Sequence, residues 1–279
     1  MSRYRCRQCV SKSASRYDSC PVCGGEMKDA LLDCYIRLST IPALDIEDFE
    51  SVELVDEYRN YWKPTPPERV QIILLAESHV FTGKNDRSIQ FTIDSLPHYP
   101  TDYAKFVYCI AYGERSITGN PMHPKRDGTP QFWKLLYSCN NLVTNWYDFS
   151  SGVVGPDIAG RIARKIQLLK DLKRKGVWLV DASVVGLYGN PTPPDRQTKR
   201  SAIIESWNSY TKEIIVGSNP KHVIIIGKEI ANIVQDDIES IIEGEPTVIK
   251  QPNAWQSAED LMSAYARVSQ VCSGVIENR

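Results

Sequence analysis

The sequence predicts an α/β fold: three layers, with helices on both faces of a central, mostly parallel sheet, preceded by a small metal-bound ribbon. Three observations carry this. Short, continuous, β-branched runs alternate with longer helical patterns, as a parallel sheet built from right-handed crossovers requires. Two Cys-x-x-Cys pairs fall within the first 23 residues, a spacing that suits a metal site in a reducing compartment. The 279-residue chain is 42% apolar and 24% charged, which supports a sizeable core and argues against disorder. The formal net charge of -1 excludes a uniformly basic coat, so any nucleic-acid contact must use local patches. No apolar run approaches the ~20 residues of a membrane helix, and the start, MSRYRCRQC, is not a signal peptide. The expected location is the cytoplasm.

Residues 1–30 form the predicted ribbon. Cys6 and Cys9, then Cys20 and Cys23, supply four soft ligands, and Gly24-Gly25 follow the second pair. Zinc takes four such thiolates in a tetrahedron. A segment this short cannot build its own core, so the metal would supply folding energy. With no open position the site is expected to be structural. Six Lys/Arg stand against Asp18 and Glu26 in residues 1–28, an excess that would tolerate phosphate but serves a docking module equally well. The isolated Cys34, Cys109, Cys139 and Cys272 are expected as buried thiols.

Residues 31–68 read as an acidic helical linker. Seven acids and no base occupy residues 43–57, and Lys63-Pro64-Thr65-Pro66-Pro67 marks a boundary. Residues 69–279 read as the main α/β domain. Val70–Ala76, Val177–Asp181, His222–Gly227 and Thr247–Lys250 are the expected strands, with Lys105–Ala111 as an additional candidate. Such continuous runs suit strands covered on both faces. Helical patterns cover Gln131–Cys139, Pro156–Lys175, Ala202–Val216, Glu229–Ile242 and Ser257–Cys272. Ligands of parallel sheets bind beyond the carboxyl ends of the strands. The residues to read are therefore Glu77-Ser78-His79-Val80, Asp181, Gly227 and Gln251-Pro252-Asn253.

No P-loop, G-x-G-x-x-G or G-x-S-x-G is present. Five segments over about residues 70–275 instead resemble, in order and spacing, the motifs of the uracil-DNA glycosylase superfamily. Ala76–Phe81 falls where that family has its water-activating loop, and Phe91 falls at its base-stacking aromatic. Leu172–Asp181 is similar to the helix and strand ending in the base-reading Asn. Ser206–Ile215 is similar to the G-W-x-x-F-T-x-x-V-I helix and leads to the strand ending at Gly227. Gln251–Trp255 stands in place of H-P-S-P-L. Residues 94–129 then form an insertion. The resemblance implies an α/β/α fold, a DNA partner, a flipped-out base and hydrolysis of its N-glycosidic bond to leave an abasic site. It implies no organic cofactor.

The departures from the family pattern lie in the implied pocket. Asp181 replaces an Asn. A carboxylate offers only acceptors, which suits the N4 amino group of cytosine and a shared proton at N3; Asp181 as a turn or helix cap is the bland alternative. Val80 replaces a Tyr that excludes a C5 substituent, so room should open there, unless Val80 is a plain loop anchor. The two changes together imply a 5-modified cytosine. Excision of unmodified cytosine would destroy the host genome, whereas hydroxymethylated or glucosylated cytosines occur in some bacterial viruses, which motivates a role in phage defence. Glu77 is the expected water-activating or cation-stabilising carboxylate; other members carry theirs at the position of Ser78. Gln251 replaces a charge-stabilising His. Ser78, His79 and Asn253 are expected at the DNA backbone, and Trp255 as the wedge; His79 in a structural role and Trp255 closing the core are the alternatives.

Arg161, Arg164, Lys165, Lys170, Lys173, Arg174 and Lys175 form a basic helix, either a solvated face or a phosphate-tracking surface. The loops Gly189–Arg200 and Gly113–Pro130 are further candidate backbone contacts. Rival functions are a uracil or mismatch glycosylase, a non-catalytic nucleic-acid-binding module, and a nucleoside hydrolase.

Overall fold

The computed structural model describes residues 4–6, 12–13, 27–44, 52–119, 129–149, 158–190, 192–253 and 255–277, with residues 4–6, 12–13, 27–28, 158–159 and 277 described in backbone only. At the N-terminus, β1 (Tyr4–Cys6), β2 (Lys12–Ser13) and β3 (Met27–Asp29) form an antiparallel sheet in the order β2-β1-β3. Cys6 pairs with Met27 at the end of β1. Cys9, Cys20 and Cys23 lie outside the described residues.

Asp29 ends β3 and caps α1 (Ala30–Leu38), its carboxylate accepting from the Leu31 and Leu32 N–H groups at 3.1 and 3.3 Å. Leu31, Cys34 and Leu38 of α1, with Val55 and Tyr58 of α2 (Val52–Tyr61), belong to the same apolar core as the central strands. Trp178 closes this junction by donating its indole N–H to Arg59 O at 2.8 Å.

That core surrounds β4 (Ile72–Ala76), β5 (Val177–Asp181), β6 (His222–Ile226) and β7 (Thr247–Ile249), all parallel, in the order β5-β4-β6-β7. Every residue of β4 and β5 is buried, as the unbroken apolar runs require. Phe106–Ala111 is buried too and Lys105 half-buried, yet Lys105–Ala111 is not a strand. Successive turns satisfy its backbone: Cys109 N–H donates to Phe106 O and Tyr112 N–H to Cys109 O, each at 2.9 Å. The Tyr99 hydroxyl accepts from Ile110 N–H and donates to Tyr108 O. A buried apolar run needs partners for its amides, and turns supply them as well as a ladder does.

The connecting helices are α3 (Arg115–Thr118), α4 (Pro130–Asn140), α5 (Ile158–Lys175), α6 (Arg196–Ser206), α7 (Lys212–Val216), α8 (Lys228–Glu239) and α9 (Ala258–Glu277). A π-helical turn, Trp207–Thr211, joins α6 to α7. α5 packs on β5, α8 on β6, and α4 against α5 and α9. Gly176, at φ +81°, turns α5 into β5, and its carbonyl accepts from Gln71 and Ile72 N–H. A Cβ there would collide with Arg69 O and meet Gln71 Cγ at 2.7 Å.

Of the seven basic residues of α5, Arg161 and Lys165 are buried internal braces, Arg164, Lys173 and Lys175 are half-buried, and Lys170 and Arg174 are exposed. Arg161 Nε and Lys165 Nζ both donate to buried Glu114, at 2.9 and 2.7 Å. The Lys165 ammonium also lies 4.6 Å from the Trp133 ring centroid. Lys173 Nζ donates to Tyr61 O and Lys175 Nζ to Asn140 O. Cys34, Cys109, Cys139 and Cys272 are free and buried, as expected. Among the described residues no helix is long and apolar enough to cross a membrane.

Candidate functional site

The order β5-β4-β6-β7 puts the first central strand between the second and third. The chain therefore reverses its direction of travel across the sheet at the β4/β6 boundary, and such a switch point leaves a crevice at the carboxyl ends of the strands. A cleft of about 240 Å³ opens there. That is below the roughly 300–1,000 Å³ of sites that hold drug-sized ligands, so it suits one substituted ring.

Ser78, His79 and Val80, just past β4, form one wall. Their loop is held from both sides. Val80 N–H donates to Lys105 O at 3.2 Å and Phe81 N–H to Tyr188 O at 2.7 Å. Ser78 Oγ accepts from Leu187 N–H at 3.1 Å. Asp181 ends β5 opposite Ala76 and reaches the cleft floor. Its Oδ2 lies 3.1 Å from His79 Nδ1, and both residues are 5% exposed. A carboxylate only accepts, so Nδ1 carries the hydrogen. Gln251, Pro252 and Asn253, after β7, form the third side. Asn253 Oδ1 accepts from Trp255 N–H at 2.9 Å in a local turn.

Six residues expected at the site thus share one cleft: Ser78, His79, Val80, Asp181, Gln251 and Asn253. Three others do not line it. Phe91 is buried in the core, edge-on to Tyr99 at 6.3 Å between centroids. The segment around it folds back, with Phe91 N–H on Thr101 O and Tyr103 N–H on Ile89 O. Glu77, half-buried between Ala76 and Ser78, is not among the lining residues. Burial raises the Glu77 pKa, Tyr188 and Lys199 oppose the rise, and Glu229 and Asp181 add to it. Trp255 is 95% exposed just past the rim residues, so it does not close the core.

Sequence reasoning missed Lys105, Phe106, Phe132 and Tyr188, which also line the cleft. Phe106 sits edge-on to the His79 ring at 5.7 Å. Tyr188 pairs with Val80 across an isolated bridge and carries Lys199 Nζ 4.6 Å from its ring centroid. Tyr188 stands in the stretch after β5, where the position alone was a signal. Phe106 arrives from a segment that reads as a strand.

Among the candidate backbone contacts, Asp195 caps α6 through Thr198 N–H, and Arg196 pairs with Glu229 at 2.6 Å. His123, Lys125 and Arg126 lie outside the described residues. Among the described residues no group of three or more His, Cys, Asp or Glu could hold a metal.

Chemically, the cleft offers a carboxylate at its floor, an amide at Gln251 and aromatic edges on one flank. It can accept a hydrogen bond from an amino group, donate one to a ring oxygen and cover a flat ring. No family model, curated protein or solved structure matches the chain.

Proposed function

We propose that this protein is a DNA glycosylase of the uracil-DNA glycosylase type, a three-layer α/β/α domain with an N-terminal zinc ribbon. It extrudes a 5-modified cytosine, hydroxymethylated or glucosylated, and hydrolyses its N-glycosidic bond. Phage defence is the role this substrate suggests. The observation that carries the reading is the meeting, in one cleft at the sheet's switch point, of Asp181, Val80, Gln251 and Asn253, which lie far apart in sequence. Asp181 accepts from the N4 amino group, and its bond to His79 fixes its rotamer. Gln251 donates to the departing ring. Val80 lines the cleft with two methyl groups where a Tyr ring would fill it. Trp255, exposed beside Asn253, is the group available to fill the gap left in the base stack. Glu77 supplies negative charge to the developing oxocarbenium ion.

Incubation with uracil-containing, unmodified, hydroxymethylated and glucosylated DNA, scored for alkali-sensitive breaks, tests this. Breaks are expected only in the modified-cytosine DNA, and Asp181→Ala should lower their rate by at least about 100-fold, the size of a general acid–base or electrostatic contribution. Breaks confined to uracil DNA overturn the substrate. A second reading has its own support: Glu77 does not line the cleft, and burial favours its neutral form, as in a non-catalytic nucleic-acid-binding module. Salt-dependent binding with no breaks in any DNA would establish that module instead.

A further inference from the structure

Asp181 and Phe106 also line a second, partly open space of about 10 Å³, together with Ser183 just after β5 and Asp56 and Arg59 from α2. It has the volume that one water needs. Arg59 is 5% exposed. Its terminal NH2 is bound to Asp56, and Asp56 also accepts from Tyr210 at 3.0 Å and Asn60 at 2.8 Å. The Arg59 Nε–H is buried and finds no acceptor. A buried guanidinium donor with no acceptor and a carboxylate, on two residues that line one water-sized space, mark a site for a bridging water.

We propose that Arg59 is a positioning residue for Asp181, acting through one water held between the Arg59 Nε–H and the Asp181 carboxylate. This rests on the reading of Asp181 as the group that meets the base. The water accepts from Nε and donates to the carboxylate, so Asp181 receives two hydrogen bonds, one from His79 and one from the water, which together fix its orientation. A carboxylate only accepts; it selects bases with an exocyclic amino group and rejects those that present a carbonyl there. The other charged and titratable groups facing Asp181 are Glu77 from the loop after β4, Tyr108 from the turn segment, and Asp56, which balances the Arg59 charge. α2, at the heart of the acidic segment, thereby forms the back of the site.

Two measurements test this. A crystal structure of the unaltered protein should show a water within hydrogen-bond distance of both Arg59 Nε and Asp181; a dry space, or Nε bound to some other group, overturns the proposal. Arg59→Lys keeps a cation for Asp56 but has no Nε–H. Its melting temperature should stay near that of the unaltered protein, while the rate of abasic-site formation on saturating hydroxymethylcytosine DNA should fall about tenfold with KM unchanged. An unchanged rate in the folded variant overturns the proposal. Failure of the unaltered protein to form abasic sites on any DNA would overturn the glycosylase reading, and the crystal measurement would still decide the water site.

Discussion

Glu77 holds a carboxyl group that burial makes reluctant to ionise. Its folded-state pKa is raised, so between the ordinary glutamate value and the raised one the folded protein binds the proton more strongly than the unfolded chain. Stability therefore falls as pH rises through that window. Glu77→Gln removes this penalty. The variant should melt higher than the parent at pH 7, with the gain vanishing near pH 4; calorimetry at the two pH values checks both. The polar residues of the site were legible because a parallel sheet announces where its strands end; Asp181 is the last residue of β5 and Gln251 comes just past β7. Phe91 was not legible. A count of residues after β4 finds an aromatic in the expected slot but cannot see the reversal that pairs Gln90 with Asp102 and turns Phe91 toward Tyr99.

Among elements, α5 shows how little a count of charges says about where they lie. Its cations read as a surface, yet Arg161 and Lys165 are buried on Glu114 and tie the segment before α3 to the helix. Burial pushes the Glu114 pKa up, and the Arg161 hydrogen bonds with the Lys165 charge outweigh it, leaving the value lowered. The resulting stability is present above the ordinary carboxylate pKa and is lost as pH falls through the lowered one. Glu114→Ala would remove the carboxylate that both buried cations share, a loss of about 3–5 kcal/mol, and denaturant unfolding at neutral pH should show it. Sequence spacing could not reveal this triad, because Glu114 is some fifty residues from its partners. The four strands were plain from their composition, whereas their lateral order was not: unbroken Ile, Leu and Val runs suit any central position. Lys105–Ala111 has the same composition and forms turns, since burial alone does not distinguish the two.

For the whole molecule, the open question at the N-terminus is the metal. The spacing of Cys6, Cys9, Cys20 and Cys23 predicts one zinc per chain, measurable by atomic emission. Cys20→Ser should lose it, and protease sensitivity should rise within residues 1–28 while the main melting transition, set by the core around β4–β7, stays in place. A metal content of zero in the unaltered protein would remove the ribbon reading and leave the α/β domain untouched.

Gly176 sits at the opposite edge of the sheet from the cleft, about 17 Å from Asp181 by the rise of a five-residue strand. It nonetheless fixes the line along which β5 leaves α5, because no side chain fits between it and Arg69. Any larger residue would tilt β5 against β4, and the tilt would be delivered to the far tips, where Ser78 and Asp181 face the same crevice. The aim of the acid toward whatever enters is thus set at a hinge pin that nothing in the crevice ever touches.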